Sequence, residues 1–254
     1  MANEISIALG SFALDSTNGI SISKINHQIQ KQVQSFEIPK GDLSVIPIAK
    51  RGSIVVQISG ALTSSNYDAL RTAIQSLRNA IESSSEQQFI MDDDYYLLGQ
   101  YRSFSHEVTT MRTFMKFSFE LVCSYPFWQS VTLTQSTPAW TTGVGFTINN
   151  PGTAPCRVKC KLTAPGSSIA NDAQLENQTT GELWKFAGTI AATKILLVDN
   201  RVAQNELLVT NDAVNAINSW SGDFINLAPG NNTLVLTCGR STAVLDLYYR
   251  KTMR

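Results

Sequence analysis

The spacing of apolar residues changes period along the chain, and each period names an element. Tyr67, Leu70, Ile74, Leu77 and Ile81 recur at helical spacing, which gathers them into one apolar stripe with polar residues on the remaining faces. Ser65 is placed to cap that helix, with Asp68 three positions on setting a carboxylate against the positive end of the helix dipole and Arg78 near the other end. Farther along, Met115, Phe117, Phe119, Leu121 and Cys123 alternate with Lys116, Ser118 and Glu120, the pattern of a half-buried strand. Ile54 to Ile58 is rich in β-branched residues. The stretch from Ile54 to Trp128 therefore reads as an antiparallel sheet with one amphipathic helix laid across it.

Upstream, Ile5, Ile7 and Leu9, then Ile20 and Ile22, predict two short strands separated by the turn-rich Asp15 to Gly19. Asn26 to Arg51 has no helical period. Its Pro39-Lys40-Gly41-Asp42 reads as a turn, with proline fixing φ and glycine free to take positive φ, so the segment is expected to form a long hairpin arm. An isolated two-stranded hairpin is marginal in water, so such an arm is expected to lie on something else. After the helix, a strand at Phe89 to Met91 breaks at Asp92, Asp93 and Asp94 and resumes at Tyr95 to Leu98, followed by Tyr101 to His106. The acidic run lacks the alternating ligands, glycine and late glutamate of a calcium loop and reads as a solvated turn.

Gln129 to Trp140 is uncharged and rich in Thr, Ser and Pro, the composition of a linker, which places a boundary near Pro138. Beyond it, short strands come at even spacing: Val144 to Ile148, Cys156 to Leu162, Ala173 to Glu176, Leu183 to Phe186, Ile195 to Val198, Glu206 to Val209, Phe224 to Leu227, Leu234 to Thr237 and Val244 to Tyr249. That is the signature of an antiparallel β-sandwich. One helical turn is expected at Asp212 to Asn218. The fold class is mainly β, with an N-terminal sheet domain at 1–132 carrying one packed helix and a hairpin arm, and a C-terminal sandwich at 138–254.

Composition narrows the function. Twenty Lys plus Arg balance 20 Asp plus Glu, so no global field draws the chain to nucleic acid or to an anionic membrane. Charged residues are 16% of the chain against roughly 25% in typical soluble domains, which suggests a surface partly covered by partners. No run approaches the roughly 18 apolar residues of a membrane span, and Ile5 to Leu9 is too short for a signal-peptide core, so synthesis in the cytoplasm without a signal peptide is expected. Cys123, Cys156, Cys160 and Cys238 read as buried thiols, with neither His27 nor His106 spaced to complete a metal site. No nucleophile elbow, Walker loop or metal-binding His motif is present; no enzyme chemistry, metal or cofactor is expected. The Asn177 and Asn231 sequons read as chance. A sugar-binding sandwich is the rival reading, with Trp140 and Trp220 as stacking platforms and Trp184 assigned to the core.

The layout resembles the distal tail protein (Dit) family of long-tailed, siphovirus-type bacteriophages. The carriers in the first half are Ile38-Pro39-Lys40-Gly41-Asp42, Ser59-Gly60, the capped helix, Met91-Asp92-Asp93 with Tyr95, and the strand closing on Tyr125-Pro126-Phe127-Trp128. In the second half they are Asn149-Asn150-Pro151-Gly152, Asn177 to Glu182, Val198-Asp199, Gly222-Asp223-Phe224 and Leu227-Ala228-Pro229-Gly230-Asn231. The resemblance implies a non-enzymatic virion protein. It would form a hexameric ring at the end of the tail tube, stacking on the tube protein and holding a tail-tip hub or receptor-binding protein. No membrane or sequence-specific nucleic-acid contact is expected, only the passage of DNA through the ring. A tail tube subunit is a second alternative, against which the C-terminal sandwich argues.

Two groups are candidates for subunit contacts. The arm is expected to reach the next subunit, Phe36 and Ile38 filling pockets there and Pro39, Lys40, Gly41 and Asp42 forming its tip. Tyr125, Phe127 and Trp128 serve equally as an anchor on a neighbour or as a plug at the bottom of their own sheet.

Overall fold

A computed structural model describes residues 7–9, 11–32, 36–37, 44–45, 50–82, 87–91, 94–108, 113–170, 173–200, 208–239 and 242–254. The chain divides into two compact units, Met1–Trp128 and Gln129–Arg254. Both are built from antiparallel sheets, and the described residues hold a single α-helix.

The main path of the N-terminal sheet runs Phe12–Ala13, Ile7–Leu9, Gln87–Met91, Tyr95–Val108, Phe114–Cys123, Lys50–Thr63, Ile20–Gln32. Tyr95–Val108 is one strand where the sequence suggested two, its register shifted between Tyr101 and Ser103. Phe114–Cys123 buries Met115, Phe117, Phe119, Leu121 and Cys123 on one face, as the alternation requires. Close approach of strands explains Gly60: a Cβ there would lie 2.6 Å from the Ser21 carbonyl oxygen and 2.8 Å from the Phe117 ring.

The helix spans Tyr67–Ile81, and its cap is Asn66 instead of Ser65. The Asn66 side-chain oxygen accepts from the Ala69 N–H at 2.9 Å, the i to i+3 reach that an N-cap needs. Leu70, Leu77 and Ile81 are fully buried against Ile58, Leu62, Phe119 and Leu121, and Ile74 is partly buried. Each full burial contributes roughly 1.5–3 kcal/mol. Tyr67 is 50% exposed, so the buried stripe begins one turn later than its spacing suggested.

The C-terminal unit is a sandwich of two sheets. One is ordered Thr134–Ser136, Val244–Tyr249, Cys156–Thr163, Ile195–Asp199, Val209–Asn211, Val214–Asn215; the other Gly145–Asn150, Gly230–Thr237, Ala173–Asn177, Glu182–Phe186, Trp220–Gly222. Val158, Cys160, Leu162, Leu245 and Leu247 face Leu175, Trp184, Phe186, Leu234 and Leu236 across one core. Thr134–Ser136 lies inside the stretch expected to be a linker, and pairs with Leu247 to Tyr249. Asp212 to Asn218 is not a helical turn at its start. Asp212 and Ala213, with φ of 52° and 65°, form the two-residue turn of a hairpin, and only Ile217–Ser219 is a 3-10 turn.

Candidate functional site

The arm begins where the three-stranded support ends. Lys50–Thr63 is flanked on one side by Ile20–Gln32 and on the other by Phe114–Cys123, but the second ladder stops at Ile54 opposite Cys123. Past that point, among the described residues, the pairing continues between two strands, through Lys31 opposite Arg51 and Gln32 opposite Lys50, after a register shift between Ile29 and Lys31. Farther on, Phe36 pairs with Val45 and Glu37 with Ser44. The candidate residues Ile38, Pro39, Lys40, Gly41 and Asp42 lie outside the described residues, as do Asp92 and Asp93. A register shift increases local twist, which turns such a ribbon out of the plane of its parent sheet.

The aromatic group before the unit boundary is built inward at one residue. Trp128 packs on the N-terminal core, its ring edge-on to His27 at 5.4 Å and tilted against Phe89 at 6.0 Å. His27 is exposed over much of its surface, and the partial burial beside Trp128 lowers its pKa, which favours the neutral imidazole at this contact. Tyr125 and Phe127 meet edge to face at 5.2 Å around the buried Pro126, and both are half-buried.

In the sandwich, Trp184 is fully buried, as assigned from sequence. Trp140 is partly buried and donates its Nε1–H to the Ala243 carbonyl at 3.1 Å. Trp220 stacks on Phe224 at 4.6 Å, so one face of the indole is already covered. Both rings are partly buried, Trp140 held at its edge and Trp220 covered by Phe224 on one face.

The turn motifs scattered along the second half converge on a polar knot that sequence reasoning did not foresee. Asn150, Asn177 and Asn232 are completely buried. Asn150 donates to the carbonyls of Ala154 and Leu227, both at 3.0 Å, and accepts from the Gly152 N–H. Asn177 donates to the Asn226 carbonyl at 2.7 Å and to Asn232 Oδ1 at 3.2 Å, while its own oxygen accepts from the Thr179 N–H. Asn232 donates to Ala228 and Gly230 carbonyls and accepts from the Ala228 N–H. Their side-chain amides thus replace the ladder bonds that turning strands lose, which is why short polar residues sit at zero exposure. The only available signal was four separate Asn-, Gly- or Pro-containing turns.

Among the described residues no group of three or more His, Cys, Asp or Glu could hold a metal ion. Burial pushes the Cys156 thiol up to about 12, so it remains protonated and un-nucleophilic at neutral pH. Among the described residues no helix is long and apolar enough to cross a membrane.

A two-unit chain of this order, a helix-bearing sheet followed by a sandwich, has counterparts among known proteins. Residues 151–252 match the family described as siphovirus-type tail component, C-terminal domain. Over the whole length the chain is similar to the SPP1 Dit (gp 19.1) protein, described as a paradigm of the hub adsorption apparatus in phages infecting Gram-positive hosts. The TM-score is 0.71 at 14% identity, covering 98% of this chain and 99% of that one. A chain of the phage P2 baseplate in its activated, calcium-containing conformation is similar with a TM-score of 0.51 at 8% identity, covering 96% and 98%. No curated protein matches in sequence.

Proposed function

We propose that this chain is a structural, non-catalytic hub of a phage tail tip. It forms a ring, of six subunits by analogy with the resemblance drawn above, that joins the tail tube to the receptor-binding apparatus. The observation that carries this reading is the likeness to SPP1 Dit over nearly the full length of both chains, together with the family match of residues 151–252. In this reading the protein resides in the virion, its partners are copies of itself, the tube protein and a tail-tip or receptor-binding protein, and no cofactor takes part.

The two-stranded ribbon beyond Ile54 supplies the closing contact. A ribbon lacking a third strand is poorly stabilised alone, and docking on the next subunit satisfies its outer backbone groups. Phe36, Ile38 and the Pro39-Lys40-Gly41-Asp42 tip are the residues assigned to that contact. Repeated head to tail, one arm per subunit closes a cyclic assembly. Tyr125 and Phe127, half-buried in the isolated chain, are assigned to the same interface.

Negative-stain images and light scattering of the purified protein test the ring. Replacing Ile38 to Ile48 by a short Gly/Ser turn is expected to give folded monomers. A deletion variant that still elutes as a full ring removes the arm from the interface, and a monomeric parent protein removes the ring itself.

A further inference from the structure

We propose that the strand Gly145–Asn150 accepts an extended, uncharged segment of another tail-tip protein as an added antiparallel β-strand. That the donor belongs to the tail tip rests on the function proposed above. That it is a strand rests on this edge alone.

Gly145–Asn150 ends one sheet of the sandwich and pairs on one side, with Gly230–Thr237. The register decides which of its main-chain groups that ladder uses. Thr147 lies directly across from Thr233, but Thr233 turns both of its groups the other way. Its N–H donates to Thr179 Oγ1 and its carbonyl accepts from the Gln178 N–H, each at 2.9 Å. Thr147 therefore occupies a position without ladder bonds, and its own N–H and C=O point out of the sheet. Alternation gives Gly145 and Asn149 the same orientation, and all three residues are exposed. The Asn149 carbonyl accepts from the Tyr249 hydroxyl at 3.0 Å, which closes that end. The N–H groups of Gly145, Thr147 and Asn149 and the carbonyls of Gly145 and Thr147 enter no main-chain hydrogen bond among the described residues.

This edge also lacks the devices that keep edges from pairing. Shortness, charge, proline and bulges are the usual ones. The other strands that end the two sheets, Thr134–Ser136, Val214–Asn215 and Trp220–Gly222, are two or three residues long. Gly145–Asn150 has six residues, an unbroken register, and neither a charged side chain nor a proline. Val144, just before it, is 57% exposed.

The strand's two faces state what the donor carries. Ile148 is buried and Phe146 is partly buried against the sandwich core, as is Trp140, so the core is left thinly covered along this side. In an antiparallel addition, donor residues bonded to Gly145, Thr147 and Asn149 hold their side chains on the exposed face, and the residues between them lie beside Phe146 and Ile148. The matching segment alternates hydroxyl or amide side chains with apolar ones over about five residues, or roughly 14 Å. Antiparallel addition continues the pattern of every ladder in this unit. A second copy is the weaker occupant. Laid antiparallel on this edge it would bring its Gly145 N–H to an Asn149 carbonyl already held by Tyr249, and the twofold axis would join two rings face to face.

The test uses the full chain and a fluorescent peptide of five alternating threonine and valine residues flanked by lysines for solubility. Binding, followed by anisotropy, is expected with Kd on the order of 0.1 mM, and at least tenfold weaker for the same peptide N-methylated at its threonines. Hydrogen exchange read residue by residue is expected to be fast at Gly145, Thr147 and Asn149 in the free chain and to slow at least tenfold with saturating peptide. Thr147→Pro removes an outward N–H without touching the ladder and is expected to weaken binding tenfold or more, while Val214→Lys on the opposite sheet's short edge leaves it unchanged. Should Thr147→Pro fail to fold, the exchange pattern of the parent protein decides. Absence of peptide-induced protection at these amides, equal binding of the N-methylated peptide, or an equal loss in Val214→Lys overturns the proposal. Edge amides already protected in the free chain assign the edge to a second copy and overturn it as well. A parent protein that is monomeric by light scattering yet binds the peptide removes the ring and leaves the edge, so the two readings fail separately.

Discussion

The Glu182 carboxylate holds Asn226 at two points, accepting from its backbone N–H at 2.6 Å and from its side-chain amide at 2.7 Å. Asn226 in turn accepts from Asn200 through its side chain at 3.0 Å and from Asn177 through its backbone. Glu182 therefore joins the knot at a charge-assisted contact. Glu182→Ala is expected to lower stability by about 1.5–3 kcal/mol, and a double-mutant cycle with Asn226→Ala to show coupling, since the two remove one shared contact. Additive losses in denaturant unfolding would separate them.

For the helix, Leu77→Ala is expected to cost about 2–5 kcal/mol, because Leu77 is fully buried between the helix and the sheet. Gln75 is exposed and bonds to Asn79 one turn on, at 2.8 Å, so Gln75→Ala should change stability by a few tenths of a kcal/mol. Equal small effects from both would place the stripe against a partner and not against its own sheet.

His27 gives the N-terminal unit a pH dependence of known sign. Its pKa in the folded chain is depressed by burial, so between that value and the ordinary pKa of about 6.5 the unfolded chain binds more protons. Its contribution is therefore fully present above about pH 6.5 and is lost as pH falls through the depressed folded value. The difference in stability between the parent protein and His27→Gln, followed by Trp fluorescence, is expected to shrink on acidification. A difference independent of pH would show that the imidazole near Trp128 does not titrate with folding.

We expect the two units to fold independently, with the useful cut before Gln129. A fragment of residues 129–254 keeps Thr134–Ser136 in its sheet and keeps Thr137, whose hydroxyl donates to the buried Asp246 at 2.6 Å. A fragment beginning at Pro138 strips both from that carboxylate and should melt at lower temperature. Degradation of both fragments by protease would show that the sandwich needs the N-terminal half.

Periodicity revealed what local spacing encodes. The alternation through Val158, Cys160 and Leu162 and through Phe117, Phe119 and Leu121 named both cores, because a strand's buried face repeats every second residue. Partners distant in sequence were not legible. Thr134–Ser136 has too few apolar residues to announce a strand, and its assignment rests on Tyr248 and Leu247 more than a hundred positions away. The knot hid for the same reason: each asparagine looks like an ordinary turn residue until Asn177 is seen to reach Asn226 and Asn232. Ser65 and Asn66 are both good caps, and only backbone geometry chooses between neighbours.

The place of Val244–Tyr249 between Thr134–Ser136 and Cys156–Thr163 sets the order in which this unit is completed during synthesis. A ribosome must release the segment through Tyr249 before the sheet can close, so Cys156–Thr163 and Thr134–Ser136 emerge with an open edge and wait. Pairings of such long sequence separation form slowly, and the waiting edges are where a nascent chain is most exposed to aggregation. Cooler growth, which weakens hydrophobic association of the waiting edges, should therefore raise the soluble yield more for substitutions in Val244–Tyr249 than for those in the hairpin Ala173–Asn177 and Glu182–Phe186, whose partners follow one another closely.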